Sequence, residues 1–349
     1  MGMWLLAVSA AGCVSHDLGE DPQAGEGRLI AFPTPLVSAA TKASETVYPK
    51  DRTFGVFGLY CPDGDFVGWD RTQGSVLYID GAEFKFSGSI DDSTEGAGAW
   101  ISTPAYIWPK NGKMTFAAWS PYSVKADYGE NFSYGAGGVE LKGFSTGDNG
   151  GCDLMYAERA YDKSSSAGGS NPTYDGVDIV FHHALSALRF SASASSEGVT
   201  VAIARVTLWG FARQGDFSEN VSEDNPAVYA SDPSWKGLTD SYTKSDSLVV
   251  SGQDLETFVI PQKGADGAKM KVYYTVKMGS GNPVPAVSKD IPLFGHTVSG
   301  SDETIDGWRM ATRYNYNLVL TDQHQIRFSV NVASWNDCGE DDDEFTIND

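Results

Sequence analysis

Residues 314–320, Tyr-Asn-Tyr-Asn-Leu-Val-Leu, and residues 326–332, Ile-Arg-Phe-Ser-Val-Asn-Val, carry the pattern that decides the fold. Tyr314, Tyr316, Leu318 and Leu320 recur at every second position, as do Ile326, Phe328, Val330 and Val332. Successive side chains of an extended chain point to opposite sides, so this spacing gives two strands with one apolar face each. Residues 321–325 (TDQHQ) are polar and short, which fits a hairpin loop between them. The pair is predicted to form a core hairpin with Phe328 buried.

Runs of the same kind recur towards the N-terminus, separated by turn residues. They cover 54–60, 74–79, 83–87, 99–102, 113–119, 153–157 and 178–181, then 185–194, 199–209, 247–250, 257–260, 271–277 and 290–294. No segment holds the 3.6-residue period of an amphipathic helix over three turns. The stretches 144–151 and 164–172, rich in Gly, Ser and Asn, read as long loops. Residues 37–47 (VSAATKASETV) are small and polar and read as an exposed loop. Many short strands with turn punctuation predict an all-β chain packed as β-sandwiches. A length of 349 residues suits about two domains. The break is placed near 182, giving an N-terminal sandwich over 28–181 and a C-terminal one over 182–349 that ends in a short acidic tail. No internal repeat is visible.

Hydrophobic residues make up 41% of the chain and aromatic residues 12%, enough for real cores. Acidic residues number 46 against 25 basic ones, a net charge of −21. Phosphate contacts need clustered Lys and Arg, so nucleic acid and anionic membrane surfaces are excluded as partners.

The N-terminus reads as a processing segment. The apolar run from Trp4 ends in Ala10, Ala11, Gly12 and Cys13, the pattern of a lipoprotein signal peptide cleaved behind Gly12 with the lipid on Cys13. Residues 1–13 are then removed or lipidated, and the run is too short to span a bilayer. A plain secretory peptide with an incidental cysteine is the alternative, and under both readings the protein leaves the cytoplasm. Residues 14–27 are acidic and Gly-rich, a flexible tether. The first strand follows at 28–32, where Ile30 and Phe32 alternate with Leu29 and Ala31. Pro33 and Pro35 place it at a sheet edge.

Little in the chain points to catalysis. His182 and His183 are adjacent, so on a strand they face opposite sides and do not chelate one metal. His16, His296 and His324 have no partners at ligand spacing. Asp63–Gly64–Asp65 and the acidic residues 340–344 do not fit the twelve-residue calcium loop. Nucleophile-elbow, zinc-protease and phosphate-loop signatures are missing. No catalytic residue, metal site or cofactor is therefore expected, although paired carboxylates for glycoside hydrolysis would not show in sequence spacing. Besides Cys13 the cysteines are Cys61, Cys152 and Cys338, so at most one disulfide forms, and the sequence does not choose it. Trp100, Trp108, Trp119 and Tyr122 either stack on sugars or fill a sandwich core.

These residues together resemble the fimbrillin family of Bacteroidetes, the lipoproteins of type V pili. The resemblance rests on Thr41-Lys42-Ala43, on 54–57 (FGVF), on 106–116 (YIWPKNGKMTF) with 120–122 (SPY), and on 183–190 (HALSALRF). It continues at 258–262 (FVIPQ), 314–316 (YNY), 326–328 (IRF) and Trp335, all in family order. The resemblance implies two transthyretin-like or Ig-like sandwiches and export as an outer-membrane lipoprotein to the cell surface and the fimbrium. It also implies proteolysis by an Arg- or Lys-specific protease, which removes the first strand and lets a strand from another subunit enter the vacated groove. On this chain the cut would fall between Lys42 and Ala43, and the removed strand, 28–37, would carry Leu29, Ile30 and Phe32. The partners so implied are other pilus subunits, the outer membrane through the lipid, and a host or glycan ligand. Two other readings stand beside this one: an outer-membrane lipoprotein that binds carbohydrate, and a lipid-anchored hydrolase.

Overall fold

A computed structural model describes residues 29–38, 46–62, 76–88, 98–109, 112–135, 138–147, 152–157, 159–163, 177–219, 235–252, 255–321 and 326–335. Cys13, the tether 14–27, Lys42, Ala43, Cys338 and both acidic clusters lie outside these residues. The chain is all-β; among the described residues the helical pieces are Val124–Tyr128 and the 3-10 turn Gly129–Asn131. None of these helices is long and apolar enough to cross a membrane.

The first sheet runs in the order Thr46–Val47, Leu36–Val37, Val180–His183, Met155–Ala157, Lys113–Ser120, Phe54–Cys61, Val76–Ser87 and Ala99–Ser102, with Ala160–Lys163 also paired to Lys113–Ser120. Phe54–Cys61 (FGVFGLYC) is buried at every position. Its even-numbered side chains, Phe54, Val56 and Tyr60, enter one core, and Phe57, Leu59 and Cys61 enter a second on the opposite face. A strand covered on both faces reads as a continuous apolar run rather than an alternation. Gly55 has no side chain because the Trp119 indole occupies the space a Cβ would need.

Residues 74–79 and 83–87, read as two strands, are one strand, Val76–Ser87. The Asp80-Gly81 turn signal marks a bulge: Val56 faces Ala82 and Phe57 faces Asp80, and Gly81 takes the extra place with φ of 65°. The loop expected over 37–47 has strands at both ends. Leu36–Val37 and Thr46–Val47 pair antiparallel, and Val37 is buried. Phe144 and Ser145, read as the start of a loop, end the strand Gly138–Ser145.

In the C-terminal half a four-stranded sheet, Glu256–Val259, Ser186–Ala194, Thr312–Leu320 and Ile326–Ser334, packs against a sheet built around Val199–Trp209 and Lys269–Met278. The hairpin forms with Tyr316 opposite Val330 and Leu318 opposite Phe328. Tyr314, Tyr316, Leu318 and Leu320 are buried as the alternation requires. On the partner strand the alternating side chains are covered unequally. Val330 is buried, Phe328 is half-buried and Val332 is 41% exposed. Ile326–Ser334 is the outermost strand of its sheet, and its outer flank is covered where Ser299 N–H donates to Val330 C=O at 3.0 Å.

A third sheet joins the two halves. Its order is Trp235–Ser241, Ala212–Ser218, Gly138–Ser145 and Phe132–Gly135, with Gln214 opposite Ser145 and Phe217 opposite Leu141. Its core mixes Trp119, Phe144 and Tyr156 with Leu185, Phe217, Trp235 and Trp335. Trp235 Nε1–H donates to Ala184 C=O at 2.7 Å. Hydrogen-bonded strands and buried side chains thus run across residue 182.

Candidate functional site

The segment 29–38 holds the expected first strand, and its bonding explains its position. Ile30 N–H donates to Tyr106 C=O at 2.9 Å, Phe32 N–H to Trp100 C=O at 3.1 Å, and Trp100 N–H returns a bond to Phe32 C=O at 3.0 Å. The two Trp100 bonds fasten the segment to Ala99–Ser102, the last strand of the first sheet, and the Tyr106 bond fastens it to the chain just beyond that strand. On the other flank Val177 N–H donates to Ala31 C=O at 3.0 Å, Leu36 N–H to Ile179 C=O at 3.0 Å and Ser38 N–H to Phe181 C=O at 2.8 Å. Tyr48 N–H reaches Pro35 C=O at 2.9 Å from beyond. The expected position at a single edge needs correction: the segment is a strap between two sheet edges. Pro33 and Pro35 sit where it changes partners, so their missing N–H groups cost no ladder bond there.

The strap's side chains fill a groove. Phe32 is fully buried, near-perpendicular to Phe54 (5.4 Å between centroids, 88°), Phe84 (5.0 Å, 90°) and Phe116 (5.8 Å, 85°). Ile30 is buried in the same core, and Leu29 is half-buried in a bridge to Ile107. Burying an aliphatic or aromatic side chain contributes about 1.5–3 kcal/mol. Tyr48 closes the groove from the chain beyond the expected cut. Its hydroxyl lies 2.8 Å from Ser120 Oγ and donates to Thr53 C=O at 3.1 Å. Leu29, Ile30 and Phe32 were legible in the sequence as an apolar alternation. Their lining (Phe84, Phe116, Trp100, Tyr106, Tyr48) was not, because it comes from separate strands that no spacing connects.

The histidine pair behaves as its alternation predicts. His183 is fully buried while His182 is half-buried against Tyr156. His183 Nδ1 lies 2.9 Å from Asp153 Oδ1, Asp153 Oδ2 lies 3.5 Å from Arg52, and the imidazole stacks on Trp335 at 3.7 Å and 8°. Trp335 in turn stacks on Phe258. This cluster pins the end of the last strand to the first sheet. Among the described residues no group of three or more His, Cys, Asp or Glu is placed to hold a metal. Cys61 and Cys152 are free thiols.

The aromatics weighed for sugar stacking belong to the cores. Trp100 is 1%, Trp108 8% and Trp119 0% exposed, and Tyr122 is half-buried against Trp119. The three tryptophans offer no open ring face to a glycan.

The geometry defines an all-β sandwich protein whose own first segment plugs an apolar groove. The chain belongs to the fimbrillin-like family, whose model matches residues 44–335. Among solved structures it is similar to a candidate cell adhesion protein from Bacteroides uniformis (15% identity, TM-score 0.50), with 90% of this chain and 100% of that one covered. It is also similar to a fimbrial protein from Bacteroides vulgatus (12% identity, TM-score 0.48, coverage 88% and 100%). A third is the tip fimbrial protein Mfa3 from Porphyromonas gingivalis with C-terminal truncation (11% identity, TM-score 0.38, coverage 82% and 95%). Comparison with curated proteins finds no match. Family membership supports a structural role, as a fimbrial subunit or adhesin.

Proposed function

We propose that this chain is a surface-anchored fimbrial subunit that assembles by replacement of its own strap. The observation that carries the reading is the bonding of 29–38. A few main-chain bonds hold it to each flank, yet it buries Ile30 and Phe32 in the centre of a core. Proteolysis behind Lys42 would cut the connection between Leu36–Val37 and Thr46–Val47. Loss of the strap would leave Ala99–Ser102, Val180–His183 and Thr46–Val47 each without a partner along one edge, and an open apolar groove, a strong acceptor for a strand from another subunit. The lipid on Cys13 would hold the uncut subunit at the outer membrane.

Limited trypsin treatment tests the assembly step. The first cut is expected after Lys42, leaving a body that begins at Ala43. That body should associate, or bind a synthetic peptide spanning 28–37, while uncut protein stays monomeric. Lys42→Ala should block both cut and association, with Arg28 and Lys50 as the neighbouring sites to exclude by sequencing the product. A cut body that unfolds, or that stays folded and monomeric without binding peptide, would overturn strand replacement. Lipidation has its own test: a fatty-acid analogue should label the wild type and spare Cys13→Ser, and equal labelling of both would refute the anchor.

A further inference from the structure

We propose that the place of Phe32 is a selective socket. It admits an extended segment of another polypeptide only where that segment carries an aromatic ring there and an aliphatic residue two positions earlier. This rests on the strand-replacement reading and adds the chemistry of the partner. The bonds that hold the strap come from main-chain groups of Tyr48, Trp100, Tyr106, Val177, Ile179 and Phe181 and from the pairing with Thr46–Val47, which would hold any extended backbone alike. Selection therefore falls to the side chains.

Among these, Phe32 meets three Phe rings at 85–90°, the edge-to-face arrangement the aromatic quadrupole favours. A Leu at this place loses all three ring contacts and leaves part of the socket empty. A charged residue would be buried among aromatic rings without water. Ile30 is 1% exposed in the same core, which sets the aliphatic requirement two positions earlier. Val37, also 1% exposed, marks a third apolar place beyond the bend. The native occupant has proline at 33 and 35, so the groove accepts segments in which those places lack an N–H. The partner that fits is an extended strand of the form aliphatic–x–aromatic, followed by a bend tolerant of proline and an aliphatic residue.

The test uses the intact chain in two arms. In the first, Phe32→Leu and Ile30→Val are compared in the uncut Lys42→Ala protein, with thermal unfolding as the readout. Phe32→Leu should lower the midpoint clearly more than Ile30→Val. In the second, protein nicked behind Lys42, with its strap still bound, is challenged with labelled peptides spanning 28–37. The peptide with Leu at the Phe32 place should compete at least about tenfold more weakly than the native one, the ratio that about 1.4 kcal/mol produces. The peptide with Val at the Ile30 place should compete within a few fold. Equal competition by the Leu and Phe peptides, where the native peptide does exchange, would overturn the socket and leave strand replacement standing. If no peptide exchanges, strand replacement fails and the partner assignment with it. A Phe32→Leu midpoint equal to wild type in the first arm would remove the socket by itself.

Discussion

Cys152 lies against the core of the third sheet, where desolvation, reinforced by the neighbouring Asp153 carboxylate, pushes its thiol up from 9.0 to about 11. The folded state thus favours the neutral thiol more than the unfolded chain does. The stability this contributes is complete below pH 9 and is lost as pH rises through about 11, at most about 2.7 kcal/mol in all. Urea unfolding at intervals between pH 8 and 11 should show wild type losing more stability than Cys152→Ala over that window. Parallel curves would mean the thiol is solvated. The sequence showed Cys152 as one member of an odd set of cysteines, but its neighbours come from other strands. The His182–His183 pair was more legible. Strand alternation alone predicted that the two would diverge, though nothing in the sequence placed Asp153 and Trp335 on either side of His183.

Period-two patterns gave the strands themselves, and the structure shows where such patterns mislead. On Thr312–Leu320 the alternation matches burial residue by residue, because this strand is bonded on both sides within its sheet. On Ile326–Ser334 the same alternation is equally regular, yet Val332 is exposed, since an outermost strand is covered only where another element reaches it. Phe328 still stacks on Tyr316 at 5.6 Å and lies beside His296. Phe328→Ala is therefore expected to cost about 1–2 kcal/mol rather than the ~3–5 kcal/mol of a fully buried ring, which Phe32→Ala should cost. Equilibrium unfolding of the two variants checks the difference. Equal losses would mean that the outer strand is covered in solution. The strands Gly138–Ser145 and Ala212–Ser218 were illegible for the opposite reason. Gly138, Gly143 and Gly215 break their alternation, and tertiary pairing overrides weak local propensity.

At the scale of the whole molecule, strands and side chains from both sides of residue 182 pack together. Gly138–Ser145 finds its partner in Ala212–Ser218, and Leu141 and Phe144 share a core with Phe217 and Trp235. The cluster of Arg52, Asp153, His183 and Trp335 ties the first sheet to the end of the last strand. Sequence offered no linker at this point, and a boundary drawn from length alone cannot see a sheet assembled from distant strands. A fragment spanning 28–181 would keep the strap and its groove but lack the strands and aromatic side chains that cover Leu141 and Phe144. It should show β-structure without a cooperative unfolding transition, with exposed apolar surface that binds a hydrophobic dye. Adding a fragment spanning 182–349 should restore the transition by supplying Phe217, Trp235 and Trp335. Cooperative unfolding of 28–181 by itself, with the fixed aromatic environment of the whole chain in near-UV circular dichroism, would show that the shared sheet is dispensable and that the first sheet folds as an independent unit.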